Sequence, residues 1–395
     1  MKVSILIVGD EILKNRVTES NSKIISDFFI KKGYDVIGKF IVGDDYKNID
    51  KILKFSLKNS NFIVITGGLG PTPDDITLDA VARSLKREVI FSEEIFRKVS
   101  QKMKNVSEDI VKKQSRIIEG SKVFENEAGI AFCHFLKSGK VKIFLLPGVV
   151  REVEWIVVNI LEKLIPDQQK KEEEYNLKIF NTTESYIYQV LKEKFNSKRL
   201  SNVHFYPSFG FIDLFFPDKE ILKFLKIKFS NNFLETGTKN LVLYLKEEFE
   251  RKNLTLSVAE SCTGGFLAKR LTDIEGSSSF FLGGVVVYSN DSKNVLLRVD
   301  EKILKKYGAV SKEVSFVMAK NCAKIFNSDL SVSITGIAGP SGGSVEKPVG
   351  TVFISTFYRD IVKTEKYIFT GSRDIVRQKS VNLSMFSILR RIKDE

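Results

Sequence analysis

Short, almost wholly apolar runs alternate with segments of helical spacing through the first 165 residues. No other feature narrows the possible folds as much. The runs at residues 3–8, 36–42, 62–66 and 141–146 are rich in Val, Ile and Phe. A strand with one wet face alternates apolar with polar residues; a strand buried on both faces does not. Between these runs, residues 21–32, 48–58 and 78–86 carry apolar residues three and four apart, as helices do. Strand–helix–strand order with doubly buried strands predicts an α/β fold, a mostly parallel sheet covered on both faces. Ligands of such sheets sit beyond the carboxyl ends of the strands. Two turns fall there: Gly9-Asp10-Glu11, and the run Gly67-Gly68-Leu69-Gly70-Pro71-Thr72-Pro73-Asp74-Asp75.

The chain has 395 residues, which at roughly 150 residues per domain means two or three domains. Residues 1–165 form the first. Residues 166–176 are polar, begin with a proline and read as a linker. Pieces resembling strands at 178–181 and 210–216, with a helix at 219–229, make residues 166–245 a small α+β middle domain. Residues 246–395 form a second α/β domain. Its strands are expected at 254–258, 284–288, 330–335, 350–357 and 364–369, after a helix at 241–252 and among helices at 264–272, 314–326 and 373–391.

Composition removes several classes of function. With 43% hydrophobic residues the chain is globular, and no stretch approaches the ~18 consecutive apolar residues of a membrane helix. The first apolar run ends at Gly-Asp-Glu with no cleavage site nearby, so the protein is expected in the cytoplasm. Three dispersed cysteines, Cys133, Cys262 and Cys322, exclude a disulfide framework and a zinc finger. Two histidines, His134 and His204, cannot make a three-histidine metal site and are expected to be packed or surface residues. The net charge is +13, and residues 251–395 hold 22 Lys+Arg against 14 Asp+Glu. Residues 1–165 hold 27 against 22, and residues 166–250 hold 13 of each. No run of five like charges occurs. An anionic small molecule such as a nucleotide accounts for this balance as well as DNA would, so nucleic acid is not an expected partner.

The densest chemistry is Ala259-Glu260-Ser261-Cys262-Thr263-Gly264-Gly265, after a strand and ahead of a helix. Two readings stay open there. Ser261 sits where backbone N–H groups and a helix dipole could stabilise an oxyanion or a phosphate, or it caps the helix. Tyr288-Ser289-Asn290-Asp291-Ser292-Lys293 follows another strand and places Lys293 on a loop near the strand end. No histidine occurs in residues 205–395. A serine nucleophile must therefore use lysine or tyrosine as its base, and burial helps a lysine to lose its proton. Thr335-Gly336-Ile337-Ala338-Gly339-Pro340-Ser341-Gly342-Gly343 is a loop whose N–H groups suit a phosphate or carbonyl oxygen. Glu346-Lys347-Pro348-Val349-Gly350-Thr351 closes it.

These segments, with Gly308-Ala309-Val310-Ser311 and residues 372–377, resemble the C-terminal domain of the CinA family in the same order from about residue 250 onward. The resemblance implies a nicotinamide-mononucleotide deamidase that releases nicotinate mononucleotide and ammonia without a cofactor. It makes Ser261 rather than Cys262 the nucleophile and gives the proton to Lys293 and Tyr288. The substrate would be held by Glu260, Thr263, Gly264, Gly265, Asn290, Thr335, Gly336, Ala338 and Gly339, with Arg373 and Arg377 for its phosphate. A homodimer is implied as well. One departure, Asp291-Ser292 for the more usual Glu-Ala, leaves Tyr288 and Lys293 at the expected spacing.

The N-terminal glycine run pairs an anion-cradling backbone with two carboxylates, and carboxylates beside a phosphate loop commonly hold a divalent cation. Adjacent Asp residues do not share one face of an extended segment, so one would bind and the other cap the next helix. This part resembles the family's molybdopterin-binding-like domain, as do Gly9-Asp10-Glu11, Asn21, Val42-Gly43-Asp44 and Leu146-Pro147-Gly148. The resemblance implies hydrolysis of ADP-ribose. Gly67, Gly68, Gly70 and Thr72 would lie at the substrate, and Asp74, Asp75 and Glu11 at Mg²⁺ or Co²⁺, alone or with K⁺. Departures gather here. Asn126-Glu127-Ala128-Gly129-Ile130-Ala131-Phe132-Cys133 replaces Asn-Pro-Val-Gly-Thr-Ala-Pro-Gly, and Val149-Val150 replaces Pro-Pro. Ile130 removes a hydroxyl and Phe132 adds bulk, so metal binding with altered substrate choice is expected. The rival to an enzyme is an interaction protein of DNA uptake and recombination with vestigial nucleotide binding. The intact Ser261 and Lys293 favour the enzyme.

Overall fold

The computed structural model describes residues 1–168, 174–237 and 239–393, which divide into units of residues 1–171 and 172–395. The first unit runs β1 (Lys2–Val8), α1 (Asn21–Lys31), β2 (Asp35–Val42), α2 (Tyr46–Asn59), β3 (Phe62–Thr66), α3 (Thr77–Ser84), α4 (Glu108–Gln114), β4 (Lys122–Phe124), β5 (Cys133–Ser138), β6 (Val141–Leu146) and α5 (Val150–Ile156), besides a helix at Glu93–Lys102 and shorter pieces. The sheet order is β2-β1-β3-β6-β5-β4; the first four strands are parallel, β5 is antiparallel to β6, and β4 is antiparallel to β5. Alternate residues of each apolar run enter opposite cores. Val3, Ile5 and Ile7 pack with α1 and α5, whereas Leu6 and Val8 pack with α2 and α3. The expected parallel sheet with two covered faces is present.

The second unit begins with β7 (Tyr175–Phe180), α6 (Glu184–Lys192), β8 (His204–Ser208), β9 (Phe211–Phe216), α7 (Lys219–Lys228) and β10 (Phe233–Leu234). Its antiparallel order β8-β9-β7-β10 is the ferredoxin-like βαββαβ arrangement. There follow α8 (Leu241–Lys252), β11 (Leu256–Glu260), α9 (Phe266–Thr272), β12 (Phe281–Val286), α10 (Asn290–Leu297), α11 (Lys312–Phe326), β13 (Leu330–Gly336), β14 (Thr351–Tyr358), β15 (Ile361–Ile368) and α12 (Arg373–Lys393). The order β12-β11-β13-β14-β15 is parallel through β13, then closes with a hairpin. Its two turn residues, Arg359 and Asp360, are both left-handed (φ 49° and 60°), as a type I′ turn requires.

The boundary read at residue 246 needs correction. Residue 246 falls inside α8, whose Leu241, Val242, Leu245 and Phe249 are buried in one core with Phe180 and Leu234. Phe180 of β7 stacks on Phe386 of α12 with ring centroids 4.2 Å apart. The middle and C-terminal pieces therefore share a core. The Tyr34 hydroxyl donates to the Pro166 carbonyl at 2.9 Å, which ties Pro166 to the first unit. Tyr175 and Asn176 open β7, and residues 169–173 of the expected linker lie outside the described residues. No described helix is long and apolar enough to cross a membrane.

Candidate active site

β11 ends on Glu260, and five residues of turn separate it from α9. Gly264 and Gly265 are left-handed there (φ 59° and 89°), a backbone that L side chains seldom adopt. The turn is pinned to β13 by the Ser261 N–H, which donates to the Ile334 carbonyl at 2.9 Å. Glu260, fully buried, accepts from the Leu267 and Ala268 N–H groups at 3.0 and 2.8 Å. It is Glu260 that satisfies the start of α9, so the helix-cap reading of Ser261 is excluded. Both carboxylate oxygens of Glu260 are engaged, which moves it from the expected substrate set to the scaffold. Glu260→Ala would leave two N–H groups without their acceptor and should destabilise the protein by about 1–3 kcal/mol. The check is a lower urea midpoint at unchanged slope.

Lys293 reaches Ser261 from the other side. It lies in α10 rather than on a loop, because Ser289 and Ser292 form a reciprocal cap that starts the helix at Asn290. Ser292 thus supplies a cap where the more usual residue has no hydroxyl. The Lys293 side chain is 1% exposed, and its Nζ lies 3.1 Å from Ser261 Oγ and 2.8 Å from the Val287 carbonyl oxygen. Burial pushes its pKa below the ordinary lysine value. A neutral amine can donate to Val287 while its lone pair accepts the Ser261 proton. The neighbouring Cys262 thiol is pushed up to about 12 by burial, so no thiolate competes as nucleophile.

The other expected residues sort by what their polar groups do. The Tyr288 side chain is exposed, and its hydroxyl accepts from Arg373 at 2.7 Å; only its main-chain carbonyl faces Lys293, at 3.4 Å. Its hydroxyl is not beside the pair, so a proton relay through Tyr288 has no geometric support. Arg373 also donates to the Gly339 carbonyl at 2.9 Å, and Arg377, one helical turn on, donates to the Thr263 carbonyl at 2.7 Å. Arg377 therefore borders the turn that carries Ser261, and Arg373 joins the Gly339 loop to Tyr288. The buried Thr335 hydroxyl donates to the Ala309 carbonyl at 2.9 Å, and Ala338 is buried, so these two build the floor. Gly336 packs against Val352, and Gly339 is left-handed (φ 83°). Asn290 is exposed at the start of α10. The Thr263 hydroxyl is buried with no hydrogen-bond partner among the described residues.

In the first unit the glycine run follows β3. Gly67 is left-handed (φ 99°), and a Cβ there would strike the Val8 carbonyl oxygen. Gln114 donates to the Leu69 carbonyl at 3.0 Å and Lys113 to the Thr72 carbonyl, so α4 clasps the loop through Gly70. Asp75 accepts from the Thr72 N–H and hydroxyl at 2.8 and 2.6 Å and serves the loop itself rather than capping α3. Asp74 and Glu11 are exposed. Burial chiefly, then Glu11, Asp10 and Asp74, holds the Asp44 carboxyl above its usual value. Among the described residues no three His, Cys, Asp or Glu side chains form a metal-holding group. Asp74, Asp75 and Glu11 as arranged do not fit the expected ion. Phe132 is buried with Ile95, Val99 and Val111 and so adds a small core, while Ile130, Val149 and Val150 are exposed. His134 is buried and held neutral, its pKa pushed down to about 4, and His204 is exposed.

A family model described as "CinA C-terminal domain" matches residues 238–392, and one described as "Probable molybdopterin binding domain" matches residues 4–167. A CinA-like protein of Thermosipho melanesiensis is 34% identical over 99% of this chain and 100% of its own length. One of Petrotoga mobilis is 35% identical over 98% of each chain. Among solved structures, the competence/damage inducible protein CihA from Agrobacterium tumefaciens is 36% identical and covers 39% of this chain and 93% of its own, with a TM-score of 0.38. Full-length similarity at this level, with both domain matches in the expected order, makes the chain a member of the CinA family.

Proposed function

We propose that the C-terminal site hydrolyses the carboxamide of nicotinamide mononucleotide. The observation that carries this reading is the buried Ser261–Lys293 contact at 3.1 Å with the lysine's proton affinity lowered by burial. Neutral Lys293 takes the Ser261 proton as Oγ attacks the carboxamide carbon, and passes it to the departing nitrogen, which leaves as ammonia. Water, deprotonated by the same amine, then attacks the acyl ester. The C–Oγ bond breaks, nicotinate mononucleotide leaves, and the proton returns to Ser261. A binding scaffold has no use for a lysine kept from water beside a hydroxyl, which weighs against the interaction-protein reading. Ammonia release from nicotinamide mononucleotide by the purified full chain tests the proposal, and a chain that releases none while binding DNA would reverse it.

For the N-terminal unit we propose hydrolysis of the pyrophosphate of ADP-ribose, supported by the glycine turn at Gly67 and by the acidic side chains grouped around Asp44. Product formation compared with Mg²⁺, with Co²⁺, each with and without K⁺, and with EDTA tests it, and equal rates in EDTA would remove the metal. A cytoplasmic homodimer completes the proposal, and light scattering on the eluted protein reads the dimer.

A further inference from the structure

We propose that Phe266 is a positioning residue: it aims the Arg377 guanidinium at the substrate phosphate and so sets a preference for a nucleotide over a nucleoside. The inference rests on the deamidase reading above. Phe266 is the first residue of α9, half-buried, and packs on the core beneath the catalytic turn. The Arg377 guanidinium carbon lies 5.8 Å from its ring centroid, and one terminal nitrogen of Arg377 donates to the Thr263 carbonyl at 2.7 Å. The guanidinium thus lies over the Phe266 ring and is tied by one nitrogen.

The two arginines of α12 differ in what they have left to offer. Both terminal nitrogens of Arg373 are engaged, one with Gly339 and one with the Tyr288 hydroxyl. Arg377 spends one nitrogen on Thr263 and pairs with no carboxylate among the described residues. Apart from its chain neighbours, a Cβ built on Gly264 would meet within 4 Å only the terminal nitrogen of Arg377 that donates to Thr263, at 3.8 Å, so that nitrogen's second N–H and the rest of the guanidinium border open space. A phosphate there can take the remaining N–H groups as a fork. A long side chain left free would lose rotamer freedom on binding, and an aromatic face that holds it beforehand reduces that loss.

The test compares wild type, Phe266→Leu, Arg377→Ala and the double variant on nicotinamide mononucleotide and on nicotinamide riboside, which lacks the phosphate. Leucine keeps apolar packing, and thermal midpoints confirm folding. Phe266→Leu should raise KM for the nucleotide about fivefold, as expected for a weak cation–π contact, with kcat within about twofold. Arg377→Ala should raise KM about 50-fold, and Phe266→Leu should add nothing in that background. On the riboside, which offers no phosphate to Arg377, the losses caused by Phe266→Leu and by Arg377→Ala should be several-fold smaller than on the nucleotide. Equal losses on both substrates, or a Phe266→Leu effect that persists without Arg377, would overturn the proposal. Calorimetric titration of all four proteins with ribose 5-phosphate, with ribose as control, keeps the two readings apart. If wild type releases no ammonia, the deamidase reading fails. The phosphate inference then stands if Phe266→Leu weakens binding of ribose 5-phosphate only when Arg377 is present, and falls if it does not.

Discussion

Ser261→Ala is expected to lower ammonia release from nicotinamide mononucleotide by at least about 10³-fold, the scale of losing a covalent step. The fold should be untouched. The turn's anchor to β13 is the main-chain N–H of residue 261, and the cap of α9 comes from Glu260. Matched thermal midpoints with collapsed kcat are therefore the predicted pair of results. Cys262 cannot stand in, because its buried thiol stays protonated at neutral pH. A variant that keeps more than about a tenth of wild-type activity would remove Ser261 from the chemistry.

Lys293→Arg should be as damaging as Lys293→Ala, at least about 10²-fold in kcat, because a guanidinium keeps its proton and cannot act as a base. The pH dependence follows from the direction of the shift. Burial disfavours the ammonium form, so the free amine appears at lower pH than for a lysine in water, whose value is 10.5. Wild-type activity should rise with pH along a limb centred below that value, and the limb should vanish in Lys293→Arg. The unfolded chain holds this proton more tightly than the folded one. Stability therefore rises with pH between the lowered value and 10.5, and the ammonium form opposes folding below that window. If Lys293→Arg keeps kcat and raises KM alone, Lys293 belongs with substrate binding.

Much of the sheet architecture could be read from residue pattern alone, because doubly buried strands leave little room for another interpretation. β3 and β6 begin and end at the residues expected, and α8 spans residues 241–252 as expected. The misreadings have physical causes. Glu260 looks like a turn residue, yet it closes β11 and reaches forward to the N–H groups of residues seven and eight positions on, a span no local capping pattern signals. A strand that alternates Ser331, Ser333 and Thr335 with Leu330, Val332 and Ile334 ordinarily turns its hydroxyls to water. Their hydroxyls instead donate to the carbonyls of Ala319, Ser315 and Ala309, so the face is dry and polar at once. Lys293 was legible as the partner of Ser261, but its place on a helix was not, since two serines three apart make a weak cap signal. Phe266 adjoins the recognisable motif, yet its contact is with a side chain more than a hundred residues away, and nothing in the local pattern announces it. The acidic residues near Gly67 were legible as a group; which of them the loop itself uses was not.

α12 has 21 residues, about 32 Å of helix. Its first turns carry Arg373 and Arg377 at the mouth of the site, and farther along Phe386 lies flat on Phe180 of the ferredoxin-like sheet. That sheet cannot come apart without stripping one wall from the core that also holds β11 and α8. Residues 174–393 should accordingly melt in a single cooperative transition, detected together by far-ultraviolet circular dichroism and by protection of amides in β7 and β11. Two steps would mean that the stacked rings do not couple the parts. In the language of linked equilibria, the small sheet then works as a thermostat for the site. Any substitution that loosens β7 or β9 raises the fraction of molecules whose arginines are misplaced, and activity lost far from Ser261 would reappear on cooling.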